Sequence, residues 1–227
     1  MNGANLDPPS GDRYHARAFM AGYGKFITFE GGEGCGKSTL IAQMAARLRH
    51  EGRTVLVLRE PGGTELGEEV RHILLRHKKM AGMVAEAELL LFCASRAQLV
   101  RQVIEPVLRE GQIVLADRFF DSTTVYQGVG RQLGVETVAA INRFAVGECV
   151  PHLTVLIDLD PRIGLERAKG RELFDRMENQ ALDFHQRVRQ GYLDLARRDP
   201  QRVKVIDGSQ SLVAVGEKIW EVVSHVL

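Results

Sequence analysis

The stretch Gly31-Gly32-Glu33-Gly34-Cys35-Gly36-Lys37-Ser38 decides the fold, because it matches the G-x-x-x-x-G-K-[ST] pattern of phosphate-binding loops. The run 26–29 before it is apolar and reads as a buried strand, and the run 39–50 after it has apolar residues at helical spacing. Glycines let consecutive backbone N–H groups turn toward phosphate oxygens, and the start of the helix adds a positive dipole end. The sequence therefore predicts a nucleoside triphosphate site. The residues predicted to bind ATP are Gly31, Gly32, Glu33, Gly34, Cys35, Gly36, Lys37, Ser38 and Thr39.

Three side chains in this setting suit the chemistry of a bound triphosphate. Lys37 is expected to reach the β- and γ-phosphates, and the Ser38 hydroxyl is expected to ligate Mg²⁺. Asp117 follows the apolar run 113–116, where an acidic residue would orient Mg²⁺ through water or through Ser38. Ser38 and Asp117 are the predicted metal residues, and Mg²⁺ is the predicted cofactor.

The alternation of apolar runs with helical stretches predicts an α/β fold. The runs are continuously apolar, which is typical of parallel strands covered on both faces. We predict a parallel five-stranded sheet of the P-loop NTPase type, flanked by helices and carrying a short lid. The predicted strands are 26–29, 54–58, 113–116, 154–157 and 203–206, and the predicted helices are 65–77, 86–109, 136–147, 162–170, 179–198 and 211–226. Pro106 is expected to kink or locally adjust the longest helix.

Composition limits the class of protein. A chain of 227 residues suits one α/β domain, and its formal charge of +1 argues against a broad nucleic-acid surface. Cys35, Cys93 and Cys149 are scattered, so a disulfide framework or a structural zinc is not expected and a cytoplasmic location fits best. No apolar run approaches the roughly 18 residues of a membrane span.

The first residues differ in composition from the rest. Residues 1–24 contain Pro8, Pro9 and several small polar residues without a strong period, which predicts a disordered tail. The segment lacks the apolar centre of a signal peptide. We therefore expect one domain over residues 25–227.

A cationic segment follows the fourth predicted strand. Arg167, Lys169, Arg171 and Arg176 lie on both sides of Gly170, which suggests flexibility between helices. A mobile flap over about residues 166–178 would close on the triphosphate, exclude water and neutralise charge on the transferring phosphoryl group. An ordinary charged helix surface with i,i+4 pairs would have the same composition.

Together, these motifs make the chain similar to the thymidylate kinase family, of the bacterial type with a basic lid. The resemblance extends from Lys25 to the C-terminus. The phosphate loop is shared by many families, whereas the segment 59–64 and the Asp-Arg and Tyr-Gln-Gly spacing are more diagnostic. The matching segments are 29–39, 59–64, 91–96, 117–119, 126–128 and 174–176.

The resemblance implies a pocket for thymine. It implies that Phe92 stacks on the base, that Arg96 binds a thymine carbonyl, and that Thr123 and Gln127 hydrogen-bond the base. Tyr126 corresponds to the ring beneath the deoxyribose that disfavours a 2′-hydroxyl.

The resemblance also implies contacts to the phosphate and sugar of the acceptor. Arg71 and Arg118 match arginines that contact the dTMP phosphate, where a guanidinium gives bidentate geometry. Glu33 matches an acidic residue near the 3′-hydroxyl, and Glu60 and Pro61 in the diagnostic segment are assigned to the substrate site.

The phosphate loop has no arginine, so the resemblance implies that the lid supplies the catalytic cation. Arg167 is the first choice and Arg171 the second, with Lys169 beside them. The predicted catalytic residues are Lys37, Arg118, Arg167, Lys169 and Arg171.

We therefore expect phosphoryl transfer from ATP-Mg to dTMP, giving dTDP and ADP in dTTP synthesis. The alternatives are a kinase for another nucleoside monophosphate, such as AMP, GMP or dCMP, and a nucleotide-switch GTPase. The Asn-Lys-x-Asp segment typical of guanine binding does not occur in the chain.

The expected partners are ATP and dTMP, without nucleic acid or membrane, and the resemblance implies a homodimer. Apolar residues of the helix 86–109 would form the dimer interface or would pack against the sheet, and the sequence does not distinguish between these two arrangements. They are Leu89, Leu90, Leu99, Val103 and Val107.

Overall fold

Five parallel strands form one sheet at the centre of the domain, in the order β2-β3-β1-β4-β5. The computed structural model describes residues 23–77, 82–169, 177 and 180–227. The strands are β1 (Phe26–Glu30), β2 (Val55–Arg59), β3 (Ile113–Asp117), β4 (Leu153–Asp158) and β5 (Val203–Asp207). The prediction of a five-stranded parallel sheet is confirmed.

Helices connect the strands and cover both faces of the sheet. The α-helices are α1 (Lys37–His50), α2 (Glu65–Arg71), α3 (Ala85–Leu99), α4 (Glu105–Arg109), α5 (Phe120–Thr123), α6 (Val135–Val146), α7 (Pro161–Ala168), α8 (Leu182–Arg198) and α9 (Leu212–Ser224). Within the part of the chain that the structure describes, three segments are π-helical, namely His72–Arg76, Val100–Ile104 and Thr124–Gly130.

Burial follows the position of each strand in the sheet. All five residues of the central strand β1 are buried, whereas the edge strands β2 and β5 each expose part of one face. Val57 is 40% exposed and Val205 46% exposed. An apolar run therefore identified each strand, but it did not distinguish a central strand from an edge strand.

Two local features depart from regular helices. The long helix predicted over 86–109 changes to π-helix at Val100–Ile104, immediately before α4 carries Pro106 near its N-terminus. Proline has no N–H to continue the α-helical hydrogen-bond pattern, so the predicted local adjustment is present. The helical turn α5 and the π segment that follows it had no counterpart in the sequence prediction.

The N-terminal part of the domain begins before β1. Gly24 donates its N–H to the carbonyl oxygen of Leu108 at 2.7 Å, and Tyr23 packs against the apolar residues of one core cluster. These two residues of the predicted tail therefore contact the domain, while residues 1–22 lie outside the described residues. No helix within the described ranges is long and apolar enough to cross a bilayer.

Candidate active site

The phosphate loop lies between β1 and α1 and needs glycine for close packing. Gly34 has φ 66°, and a Cβ atom built on it would lie 2.0 Å from the carbonyl oxygen of Gly164 in α7. A side chain would therefore be strained by the backbone and would clash with backbone atoms. The phosphate loop therefore packs directly against α7, the helix at whose C-terminal end the predicted lid begins.

The Lys37 ammonium lies against its own loop. Its Nζ donates to the carbonyl oxygens of Gly31 at 3.2 Å and Gly32 at 2.8 Å, and to the Cys35 sulfur at 3.4 Å. Lys37 is buried although it begins α1. A buried ammonium held only by neutral acceptors is well placed to exchange them for phosphate oxygens.

Ser38 and Asp117 meet although they are distant in sequence. The Ser38 hydroxyl donates to Asp117 Oδ2 at 2.9 Å, at the carboxyl ends of β1 and β3. Both groups offer hard oxygen atoms. Mg²⁺ in nucleotide sites is held by one or two such ligands together with substrate phosphates, so this pair fits the predicted metal.

One open cleft of about 330 Å³ joins the phosphate loop to α3 and the π segment 124–130. Every residue predicted to bind the acceptor lines it, as does the loop from Glu33 to Thr39 together with Asp117. The acceptor-site residues are Glu33, Glu60, Pro61, Arg71, Phe92, Arg96, Arg118, Thr123, Tyr126 and Gln127. The cleft also takes in Arg59, Leu75, Phe119, Ser122 and Met177.

Arg118 lines the cleft and contacts the phosphate loop. Its guanidinium donates from Nη2 to Glu33 Oε1 at 2.6 Å and from Nη1 to the Gly31 carbonyl oxygen at 3.1 Å. Its backbone has φ 72°, in the left-handed region that residues other than glycine rarely adopt. The turn is held in place because the Arg118 N–H donates to the Phe29 carbonyl oxygen at 3.0 Å. Strain of this kind is concentrated at functional sites.

Glu33 projects from the phosphate loop toward the same arginine. Tyr126 donates its hydroxyl to Glu33 Oε1 at 2.9 Å. Burial opposes ionisation of Glu33, but the charges of Arg118 and Lys37 outweigh it and hold the pKa of Glu33 below its usual value. The carboxylate is therefore ionised at neutral pH.

Arg96 is almost completely buried, at 1% exposure, and most of its donors are engaged within the protein. Its Nε donates to Glu60 Oε2 at 2.9 Å, its Nη1 to Asn142 Oδ1 at 2.7 Å and its Nη2 to Thr123 Oγ1 at 2.7 Å. Side chains from the loop after β2, from α5 and from α6 thus fix the plane of the guanidinium. This arrangement was not foreseen from the spacing of Phe92 and Arg96.

Glu60 is paired through one oxygen only. Its Oε2 faces Arg96, whereas its buried Oε1 has no hydrogen-bond partner among the described residues. Burial raises the pKa of Glu60 to about 7, against the opposing charge of Arg96.

A buried network behind the site was missed by the sequence analysis. Glu30, at the end of β1, accepts from the Tyr192 hydroxyl at 2.7 Å, the Ser122 hydroxyl at 2.6 Å and the Phe119 N–H at 2.8 Å. Burial raises the pKa of Glu30. The network supports the turn that carries Arg118, and no local pattern links Tyr192 to the other three residues.

Two further residues bind side chains of the predicted base pocket without lining the cleft themselves. Asn142 in α6 binds Arg96, and Glu88 in α3 accepts from Gln127 Nε2 at 2.7 Å. Glu88 lies four residues before Phe92, which lies four before Arg96, so all three share one helix face. This spacing could have identified Glu88 from the sequence as a residue near the base pocket.

The predicted lid cations are not all described. Arg167, in the last turn of α7, and Lys169, paired with Glu166, are exposed and are not among the residues that line the cleft. Arg171 and Arg176 lie outside the described residues. The catalytic assignment of this segment therefore remains a prediction.

The chain is similar to proteins of one family along most of its length. The family model described as thymidylate kinase matches residues 29–219. A thymidylate kinase of Deinococcus radiodurans is 48% identical over 202 residues, which is 89% of this chain and 97% of that protein. A thymidylate kinase of Kosmotoga olearia is 46% identical over 194 residues, covering 86% and 92% of the two chains.

A solved structure agrees with these matches. The crystal structure of thymidylate kinase from Ehrlichia chaffeensis superposes with a TM-score of 0.74 at 31% identity, covering 88% of this chain and 99% of that one. The phosphate loop, the cleft and these similarities lead to one conclusion: this chain belongs to the thymidylate kinase family.

Proposed function

We propose that this protein transfers the γ-phosphoryl group of ATP to dTMP, giving dTDP and ADP in the synthesis of dTTP. The observation that carries the proposal is the continuity of one cleft, which runs from the phosphate loop to the aromatic and polar side chains around Phe92. Membership of the thymidylate kinase family supports the same activity. A donor site and an acceptor site that share one cavity are what direct phosphoryl transfer requires.

On the donor side, the loop backbone and Lys37 bind the β- and γ-phosphates. Ser38 and Asp117 would hold Mg²⁺, which neutralises phosphate charge when bound. The positive end of the α1 dipole adds to this field.

On the acceptor side, Arg118 and Arg71 face the phosphate of dTMP. The Arg71 Nη1 donates to the Pro61 carbonyl oxygen at 2.9 Å, which orients its guanidinium along the cleft wall. Glu33 and Tyr126, hydrogen-bonded to each other and to Arg118, form the sugar subsite. A rigid network of this kind positions the acceptor oxygen without a large cost in ordering.

The base end is lined by Phe92, Arg96, Thr123 and Gln127, with Glu60 holding Arg96. Phe92 is half-buried on α3 and lines the cleft, where its ring would stack on thymine. The acceptor phosphate of dTMP is already anionic, so catalysis needs positioning and charge neutralisation rather than a strong base.

A cation from the predicted lid, about residues 166–178, completes the proposed mechanism. Arg167, or alternatively Arg171 or Lys169, would approach the transferring group when the segment closes, and such an arginine is worth about 10³–10⁵ in rate. An Arg167→Ala variant is expected to lose kcat, whereas Arg162→Ala, an exposed arginine of the same helix paired with Asp160, serves as the control. Equal kcat values for both variants would remove Arg167 from the mechanism.

A second copy of the chain is the proposed partner. Helices α3 and α6 pack together through Leu89 and Val138, and each also carries an exposed apolar side chain. Leu90 is 57% exposed and Phe144 90% exposed. Of the five residues weighed for an interface, Leu89 and Leu99 are buried, so they contribute to the core instead.

The homodimer is tested by light scattering after size exclusion. The Phe144→Glu variant is expected to be monomeric, and Val213→Glu, at a residue 75% exposed on α9, is the control. A wild-type chain that elutes as a monomer at micromolar concentration would refute the dimer.

The experiment for the function is a coupled ADP-release assay with ATP-Mg and dTMP, dUMP, dCMP, dGMP or AMP as acceptors. Strong preference for dTMP is the expected result. A preference for a purine would refute the thymine assignment while leaving the kinase mechanism in place. ADP release that does not depend on any acceptor would refute monophosphate kinase activity altogether.

A further inference from the structure

The amide of Gln127 is held from behind. Gln127 lies in the π segment 124–130 and is 1% exposed, at the base end of the cleft. Its Nε2 donates to Glu88 Oε1 at 2.7 Å, and Glu88 itself is completely buried in the first turn of α3.

Glu88 is fixed in turn by Arg131. The Arg131 Nε donates to Glu88 Oε1 and its Nη2 to Glu88 Oε2, both at 3.2 Å. A third donor of Arg131, Nη1, reaches Gln180 Oε1 at 2.9 Å. A carboxylate paired with arginine only accepts hydrogen bonds, so the amide must turn its NH₂ group toward Glu88. The opposite orientation would bring two oxygen atoms into contact.

This orientation decides what Gln127 offers to a ligand. No described residue donates to its Oε1, so the cleft side of the amide presents an acceptor. Beside it, the Thr123 hydroxyl accepts from Arg96 Nη2 and retains its own proton to donate. A base with an N–H at position 3 and a carbonyl group next to it matches an acceptor with a donor beside it. Cytosine, with an unprotonated N3 and a 4-amino group, does not.

We propose that Glu88, held by Arg131, is the positioning residue that sets base selectivity by locking the Gln127 amide with its oxygen toward the cleft. The inference rests on the proposed function, because it concerns the acceptor of that reaction. Glu88 does not touch the base, and it acts only through Gln127. The selectivity it controls is between bases that carry a proton on N3 and bases that do not.

The test is the Glu88→Gln variant, assayed for kcat/KM with dTMP, dCMP and dUMP. A glutamine at this position can donate to Gln127 Oε1, which lets the Gln127 amide turn and present NH₂ to the base. The ratio of kcat/KM for dTMP over dCMP is expected to fall by at least about tenfold. The ratio of dTMP over dUMP is expected to stay constant, because these bases differ only in a methyl group.

Two variants control for charge and for packing. Glu86→Gln removes the same charge from an exposed position in the same helical turn, and it should leave both ratios unchanged. Glu88→Asp keeps an acceptor-only group, so it should retain selectivity even where overall activity falls. Where Glu88→Gln does not fold, Glu88→Ala removes the acceptor that holds the Gln127 NH₂ group, so the amide can turn and the same ratio should fall.

A Glu88→Gln enzyme that loses activity equally on dTMP and dCMP would overturn the proposal, since that result describes a structural role only. An unchanged dTMP over dCMP ratio in a folded variant would overturn it as well. Failure of the proposed function is a separate result, because the wild-type chain would then show no dTMP-dependent ADP release.

Discussion

Replacing Glu60 by glutamine tests whether this buried carboxyl group titrates near neutral pH. Glu60 is 4% exposed, its Oε2 faces Arg96 at 2.9 Å, and burial raises its pKa from 4.5 to about 7. An acid with a raised pKa binds its proton more tightly in the folded state. Its contribution to stability is therefore complete below pH 4.5 and is lost as the pH rises through 7.

The size of the effect follows from the two pKa values. A change from 4.5 to about 7 corresponds to about 3 kcal/mol in the free energy of unfolding, of which about 2–3 kcal/mol is lost between pH 5 and 8. The Glu60→Gln variant cannot titrate at this position. The stability of wild type relative to Glu60→Gln should therefore fall by that amount across the range.

The assay is urea denaturation of the ligand-free protein at several pH values, with the difference between the two proteins plotted against pH. Taking the difference cancels the titration of groups that both proteins share. Glu68→Gln is the control, because a hydrogen bond from the Gly63 N–H and the charge of Arg59 lower the pKa of Glu68. Its stability contribution is lost only as the pH falls below 4.5, so its difference curve should be flat above pH 5. A flat curve for Glu60→Gln would refute the raised pKa.

Three further substitutions probe the cleft. Lys37→Ala should lower kcat by at least about 10²-fold, measured by ADP release, while the melting temperature stays close to that of wild type; retained turnover would exclude the phosphate role. Asn142→Ala removes the acceptor for Arg96 Nη1, so the free energy of unfolding measured with urea should fall by about 1–3 kcal/mol and the KM for dTMP should rise. An unchanged KM would show that Arg96 does not need Asn142 to bind the base. Gly34→Ala should abolish ATP binding in calorimetry, because the new Cβ would meet the Gly164 carbonyl oxygen, and normal affinity would contradict the loop geometry.

Local patterns sufficed to predict the sheet and the position of the phosphate loop. The phosphate loop from Gly31 to Ser38 is a contiguous segment that matches a known pattern, so its position between β1 and α1 was predicted from the order of the residues alone. Continuous apolar runs located all five strands, because burial on both faces leaves that trace in the sequence. Asp117 was found in the same way, as a polar residue at the end of such a run.

Family resemblance, rather than periodicity, pointed to the acceptor site. Phe92 and Arg96 resemble ordinary core residues of a helix, and only the matched motifs assigned them to a pocket. The structure places them on one cleft with the phosphate loop, although Arg167, the predicted lid cation, is not among the residues that line it. Closure of the segment 166–178 over the triphosphate, which its composition suggested, stays a prediction.

Only the tertiary structure shows the contacts between elements that are distant in sequence. Arg118 meets Glu33 across 85 residues, and Gln127 meets Glu88 across 39. These hydrogen bonds depend on separations of about 3 Å, which follow from how helices pack on the sheet and leave no periodic trace in the chain. The sequence by itself determined the sheet and the triphosphate loop, because short-range backbone and burial preferences specify them. The orientation of each side chain in the base pocket was decided by packing.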